Sequence, residues 1–595
     1  MTIKIKDIKY KEYFKLLKYI RPYKKEAILG LSLTIFESIL EIFIPFLMNS
    51  LLTNGVYFDN AQNKYIMNSN QLLLISLIMV GCAIIAFISG TLSSKFIAIA
   101  ARGFGAELRK AVYKKIESFS FKNIDGFRQS SLITRLTDDN QIIQNNFCTS
   151  FRPLVRAPVQ LVFAVIFSIL ISPSLSIVLF IAMLLIGIMY FILLRAVKPK
   201  YRKMQEETDI LNQCTKEDIT NVKTIKTYVK EDYEISRFNV NNEELRKTSI
   251  KSYGTTSLNM PITNLIMFST TVALLYFGGI FVINGQFGVT TVNIASFLTY
   301  LSQALACFRM LNNGFTQINR AEASIERTIE VLNENIDLKF DEESILKITE
   351  GDIVFNNVSF KYSLNAQNDV LYDINLHIKK GEFIGIVGPT GSGKTTLINL
   401  INRFYDVTNG ELLIDKNNIK LYSENELHKN ISLCFQTAIL FKGSVLDNLK
   451  FGNKYASMEN VIKACKIACC YDFITTTLQN GFNFEVSEGG TNISGGQRER
   501  ICIARAIISN PKILILDDSF SALDHLTEKQ VKENLDIELK DVTKIVISEK
   551  ISAIKNANRI VVINEGKIEN IGSHQDLYQK DPIYKNMCDS QKEGV

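Results

Sequence analysis

Metal-holding spacings are missing from this sequence. Its ten cysteines are scattered, and its four histidines, His377, His428, His525 and His574, do not gather with them. Cys465, Cys469 and Cys470 come nearest to a cluster, but they lack CxxC spacing and a nearby histidine, so no zinc site is expected. Reduced thiols in a cytosolic or membrane-buried setting are the plain reading. A secretory signal is not expected either, because the N-terminal segment is long and basic and has no small-residue cleavage site. The net charge of +7 does not form a nucleic-acid surface. Its lysines and arginines crowd beside apolar runs, as in segments that face anionic lipid, so membrane lipid is the expected partner and nucleic acid is not.

What the first half does have is length without charge. Six runs meet the roughly 20 residues that a membrane-crossing helix needs: Ala27–Leu52, Gln71–Ile97, Leu154–Ile171, Leu175–Leu194, Thr263–Ile283 and Val292–Leu311. Ser172-Pro173-Ser174 leaves room only for a tight hairpin between the third and fourth. Basic residues set the orientation. Lys4, Lys6, Lys9, Lys11, Lys15, Lys18, Arg21, Lys24 and Lys25 precede the first span, and the long loops after spans two and four are lysine-rich. The other three loops are nearly uncharged, apart from Asp59 and Lys64. Both termini are therefore expected on the cytosolic side of a multi-pass protein of the cytoplasmic (inner) membrane. Residues 8–20, with Ile8, Phe14, Leu17 and Ile20 among lysines, suit an interfacial elbow helix. The two long cytosolic loops are expected to be helical extensions, since such lengths are seldom structureless.

Ionisable residues inside spans are costly and face a cavity or a partner. Glu37 and Glu41 lie one turn apart on the first span, and Arg156 and Arg309 are candidates to pair with them. Structural pairing and substrate contact both remain open, with Glu37 and Glu41 lining a cavity for cations as the second reading.

From about Gly351 the pattern changes to short β-branched strands alternating with helices. Phe383–Val387 reads as a buried strand, followed by Gly388-Pro389-Thr390-Gly391-Ser392-Gly393-Lys394-Thr395-Thr396, a phosphate loop. Its backbone N–H groups are expected to curl round phosphates at a helix N-terminus. Lys394 would reach the β- and γ-phosphates and the Thr395 hydroxyl would ligate Mg²⁺. A second apolar strand, Ile513–Leu516, ends in Asp517-Asp518, which places Asp517 in the Mg²⁺ shell. Ser494-Gly495-Gly496-Gln497 opens a helix between them and offers N–H groups to an anion.

Taken together, these motifs resemble those of the ATP-binding-cassette (ABC) exporters, over nearly the whole chain. Ser494-Gly495-Gly496-Gln497 resembles the family signature, Tyr362 the adenine-stacking A-loop tyrosine and Gln436 the Q-loop glutamine. Val486-Ser487-Glu488-Gly489-Gly490 is similar to the X-loop, Ser521-Ala522-Leu523-Asp524 to the D-loop, and Ala321–Arg327 to the stretch below the last span. The resemblance implies an α-helical transmembrane domain of six spans (1–325), a linker (326–349) and an α/β P-loop NTPase domain (350–595). It implies ATP and Mg²⁺ as ligands, with Thr395, Gln436 and Asp517 on the metal. It also implies a dimer in which each ATP lies between one phosphate loop and the other signature, with coupling helices near Phe127–Ser131 and Tyr228–Tyr233.

Two positions depart from the family pattern. Where a glutamate polarises the attacking water, Asp518 is one methylene shorter, and catalysis of this kind depends on reach. Where the switch histidine belongs stands Glu549, whose charge opposes a γ-phosphate. Two unit charges 4 Å apart interact by roughly 4 kcal/mol at an effective dielectric of about 20. The pair implies the degenerate-site subunit of a heterodimeric exporter of small amphipathic, drug- or lipid-like molecules, whose partner is a second, non-identical half-transporter. A slow homodimeric lipid or drug exporter, Glu549 as a substitute base, an importer built on the same fold and an ATP-gated channel are the alternatives. With no cysteine–histidine peptidase module ahead of the elbow segment, cleavage of a leader peptide during export is not expected.

Overall fold

The computed structural model describes residues 13–54, 56–59, 64–67, 69–363 and 366–592. Lys4, Lys6, Ile8, Lys9 and Lys11 of the basic segment lie outside the described residues. The rest of the expected elbow is helical, as a turn over Tyr13–Leu16 and a tighter 3-10 stretch over Leu17–Tyr23. Contacts divide the chain into two units: Met1–Glu117 with Gln129–Glu334, and Ser118–Arg128 with Asn335–Val595.

The first unit is helical. Its main helices are α1 (Lys24–Asn54), α2 (Ser69–Glu117), α3 (Asn140–Ile171), α4 (Pro173–Thr220), α5 (Asn259–Ile283) and α6 (Thr291–Asn333). Among the described residues, six helices are long and apolar enough to cross a membrane, the number that the apolar runs predict. The 49 residues of α2 would extend about 74 Å, more than twice the ~30 Å of a bilayer core. The long loops thus continue the helices, as expected. Ser172 leaves α3 in an extended conformation and Pro173 takes the first position of α4, which produces the tight hairpin. Small residues let α1 and α2 approach: the Ser93 hydroxyl donates to the Gly30 carbonyl at 2.9 Å and lies 2.6 Å from the Thr34 hydroxyl.

The two carboxylates in the first span are paired. Glu37 accepts two hydrogen bonds from Arg152 Nη2, both 2.8 Å, and one from Arg156 Nη1 at 3.0 Å. Glu41 accepts from Arg156 Nη2 and, at 2.8 Å, from Gln160 Nε2. The expectation for Arg156 holds. Arg309 is exposed and bonds to neither carboxylate among the described residues; the second arginine is Arg152, just ahead of the third apolar run. Of the two readings left open for Glu37 and Glu41, these contacts support structural pairing.

In the second unit, one sheet contains β3 (Phe383–Val387), β5 (Ile431–Cys434), β6 (Ile513–Asp517), β7 (Thr543–Ile547), β8 (Arg559–Asn564) and β9 (Lys567–Gly572), in the order β9-β8-β3-β7-β6-β5. Only the β8–β9 pair is antiparallel. Strands β6 and β7 are buried along their whole length, as expected of continuous apolar runs covered on both faces. A second, antiparallel sheet has β1 (Ile353–Phe360) between β2 (Leu371–Ile378) and β4 (Asn409–Ile414).

Residues 118–128 pack with this second unit. The helix they form is Phe121–Gly126, not Phe127–Ser131: Ser120 and Asn123 cap its start reciprocally, and Phe127 has already turned extended. The other short helix is Val222–Thr227, not Tyr228–Tyr233, because Val229 adopts φ +51° and breaks the run before the next helix opens at Glu231. Phe121 stacks on Phe404 with centroids 4.1 Å apart, Lys122 pairs with Asp337 at 3.3 Å, and Tyr405 donates its hydroxyl to Asp125 at 2.5 Å.

Candidate nucleotide site

Parallel strands bring the candidate residues to one edge. Ile386, Ile547 and Asp517 are register partners across β3, β7 and β6, and Leu516 pairs with Cys434 at the end of β5. The phosphate loop, Glu549, Asp518 and Gln436 all follow within two residues of these rungs, beyond the C-terminal ends of the strands. Open α/β sheets bind ligands at this edge.

The loop fits a polyphosphate. A Cβ at Gly388 would lie 2.0 Å from the Ile563 carbonyl oxygen, so only glycine lets the strand end turn there. Gly393, at φ +102°, is the N-cap of α7 (Lys394–Ile401) and offers no side-chain cap, which leaves the first N–H groups facing the loop. Ser392 Oγ is buried without a hydrogen-bond partner among the described residues, an orphan that an anion's oxygen would satisfy. Lys394 Nζ donates to the carbonyls of Gly388 and Pro389 at 2.8 and 2.9 Å, and burial lowers its pKa. Thr390, Gly391 and Thr395 are exposed. Thr396 is buried, its hydroxyl 3.0 Å from that of Tyr362.

Three carboxylates stand at this edge. Burial, reinforced by the charge of Asp518, pushes Asp517 up to about 6. Burial and then the charge of Glu549 raise Asp518 too. Asp518 sits at φ +46°, a left-handed conformation that costs a non-glycine residue roughly 1–2 kcal/mol, although aspartate tolerates it better than most. Its N–H donates to the Ile547 carbonyl at 2.8 Å, which fixes the turn. Glu549 is exposed, and Thr390 of the phosphate loop donates its hydroxyl to Glu549 Oε1 at 3.2 Å. Asp517, Thr395 and the exposed Gln436 are the groups suited to Mg²⁺, all with oxygen ligands for a hard cation.

Tyr362 is partly exposed and meets Tyr405 edge-on, with centroids 5.1 Å apart and planes at 90°. The chain therefore joins the expected adenine platform to Asp125 through a single tyrosine. The Ser494 hydroxyl accepts from the Gln497 N–H at 3.3 Å while Gln497 Oε1 accepts from the Ser494 N–H at 3.2 Å, a reciprocal cap on α8 (Gly495–Ile508). No hydrogen bond among the described residues links Ser494, Gly495, Gly496 or Gln497 to the phosphate loop. Sequence reasoning missed Glu499, whose buried carboxylate accepts from the Ala522 N–H at 3.1 Å and from Ser521 Oγ at 3.1 Å. It also missed Tyr405, Asp125 and Gln591, which have no local pattern to mark them.

Known proteins are similar to this chain over nearly its whole length. The family model described as "ABC transporter transmembrane region" matches residues 27–305, and that described as "ABC transporter" matches residues 371–521. The uncharacterized ABC transporter ATP-binding protein YfiB of Bacillus subtilis is 30% identical over 97% of this chain and 98% of its own length. An uncharacterized ABC transporter ATP-binding protein of Mycobacterium tuberculosis is also 30% identical, with 97% of each chain covered. The solved structure of a bacterial Atm1-family ABC exporter with ATP bound superposes with a TM-score of 0.78 at 22% identity, over 97% of this chain and 99% of that one.

Proposed function

This chain belongs to the ABC transporter family, and from that membership we propose that it is the degenerate-site half of a heterodimeric exporter. Its cargo is small and amphipathic, drug- or lipid-like, and it leaves across the cytoplasmic membrane at the expense of ATP. Lys394, Ser392 and the N-terminus of α7 hold the phosphates, and Tyr362 stacks on adenine. Thr395, Gln436 and Asp517 hold Mg²⁺, which when bound neutralises charge on the phosphate oxygens. Ser494 to Gln497 face the ATP of the partner, and complete a site there that this chain cannot complete for itself.

The observation that carries the reading is the Thr390–Glu549 contact. It sets a carboxylate at the mouth of the phosphate loop, in place of a group able to donate towards the γ-phosphate. Asp518 adds a base one methylene short of the family length. Hydrolysis at this chain's own site is slow as a result, and the partner's site carries the turnover.

Purification of the chain from its native membrane, followed by mass spectrometry, should recover a second, non-identical half-transporter. In the reconstituted pair, removing the partner's catalytic carboxylate should abolish ATPase activity, whereas Asp518→Ala should alter it little. Comparable losses from the two changes, or recovery of this chain alone as a homodimer, would sink the proposal.

A further inference from the structure

We propose that Gln591, on the C-terminal helix, is a positioning residue that holds Glu549 against the phosphate loop. The proposal rests on the reading that the charge of Glu549 opposes the γ-phosphate. The helix Pro582–Lys592 is anchored by Tyr584 and Cys588, both buried. Tyr584 shares a 2.8 Å hydrogen bond with His574 Nδ1, and Tyr578 donates to Asp589 at 2.7 Å. Positions 584, 588 and 591 follow at steps of four and three, so the stripe that anchors the helix also delivers Gln591.

What Gln591 meets is the backbone of the switch loop. Its Nε2 donates to the Glu549 carbonyl at 2.6 Å, and its Oε1 accepts from the Ile551 N–H at 2.9 Å. Lys550 between them is extended (φ −80°, ψ 115°), so one side-chain amide spans the residue as a neighbouring strand would. Ile551 opens a one-turn helix that has no side-chain cap of its own, and the amide supplies the missing acceptor from 40 residues away.

The loop is thus fastened on several sides. The Glu549 carboxylate accepts from Thr390, Lys550 Nζ donates to the Ser521 carbonyl at 3.2 Å, and the Glu549 backbone is gripped by Gln591. Without the amide grip, the one side-chain bond of Glu549 left among the described residues joins an exposed carboxylate to an exposed hydroxyl, which is a weak restraint. The carboxylate would then swing away from an arriving γ-phosphate. The C-terminal helix therefore lowers the preference of this site for ATP over ADP.

The test uses the full chain, assembled with its partner in nanodiscs, and ATP or ADP competing against photolabelling of this chain by azido-ATP. Gln591→Ala should raise the ATP-over-ADP preference about fivefold, the scale of one lost hydrogen-bonded contact. Gln591→Asn, a methylene too short to span both groups, should do the same. In a Glu549→Gln background neither change should have an effect, because the charge being positioned is gone. Hydrogen exchange at the Ile551 amide should quicken in Gln591→Ala. Equal shifts for ATP and ADP, or an effect that persists without the Glu549 charge, would overturn the proposal. If Glu549→Gln alone leaves the preference unmoved, the reading of Glu549 itself has failed and the role of Gln591 falls with it.

Discussion

Asp517 holds its proton to about pH 6, because burial and the adjacent Asp518 both disfavour its charge. Two consequences of opposite sign follow. Mg²⁺ binds only the ionised carboxylate, so Mg²⁺-dependent nucleotide affinity should fall towards about tenfold per unit as pH drops below 6. The folded chain without metal gains from the same group on acidification. Its folded pKa lies above the unfolded one, so the folded state binds more protons between about pH 4 and 6 and stability rises as pH falls through that window. Nucleotide affinity with Mg²⁺ and melting in EDTA, each measured from pH 5 to 7.5, should trend in opposite directions. A flat affinity profile would remove Asp517 from the metal. At Lys394 the amine shapes the loop through two carbonyls and supplies its charge, so Lys394→Ala should abolish photolabelling of this chain by ATP analogues. Undiminished labelling would contradict that assignment.

Among the elements, the short helix Phe121–Gly126 is held by the stacking of Phe121 on Phe404, by the Lys122–Asp337 pair, by Asn123 on the Asn335 carbonyl and by the hydroxyl of Tyr405 on Asp125. Tyr405→Phe keeps the ring against Tyr362 and deletes only the hydrogen bond. ATP affinity should stay within about twofold, while transported substrate per ATP falls several-fold; an unchanged ratio would mean the bond does not transmit. In the spans, Glu37 is almost fully buried between Arg152 and Arg156. Glu37→Gln leaves two arginines facing an amide and should destabilise the first unit by about 3 kcal/mol, read as a lower melting temperature in detergent. Glu41, about a third exposed, should cost nearer 1 kcal/mol as Glu41→Gln. Both changes should slow transport of cationic and neutral dyes alike, since the carboxylates already have counter-ions. Selective loss of the cationic dye would revive a direct substrate contact.

At the scale of the proposed heterodimer, Asp518 and Glu549 would act on one γ-phosphate and so should not act additively. Asp518→Glu together with Glu549→His should recover more hydrolysis at this chain's site than the sum of the single changes. The left-handed turn at Asp518 tempers the gain, because glutamate fits positive φ less well than aspartate. Under the same proposal, Gly495→Asp should be as damaging as removal of the partner's base, since it would set a carboxylate against the partner-bound nucleotide. Steady-state ATPase of the reconstituted pair reads all three, and strictly additive recovery would argue against a shared phosphate.

Local pattern alone determined much of this protein. The number of spans, the turn at Pro173, the strand before the phosphate loop and the loop itself are each legible within a few neighbours, whereas Tyr362, Gln436 and Glu549 stand out only through the family resemblance. Apolar length, proline geometry and glycine spacing act within single elements, which is why they can be read from order alone. The cap at Ser120 is less legible, since asparagine stands where glutamate or glutamine usually closes the box, and the short helix lies several residues ahead of the position that the family resemblance implies. Only the tertiary structure decided the partners. Arg152 rather than Arg309 neutralises Glu37, Tyr405 meets Asp125 across 280 residues, and Gln591 grips Glu549 across 42. Such contacts depend on strand order and on the stacking of helices against sheets. No periodicity encodes them, because the side chains that touch belong to elements whose faces are brought together only when the whole core is packed.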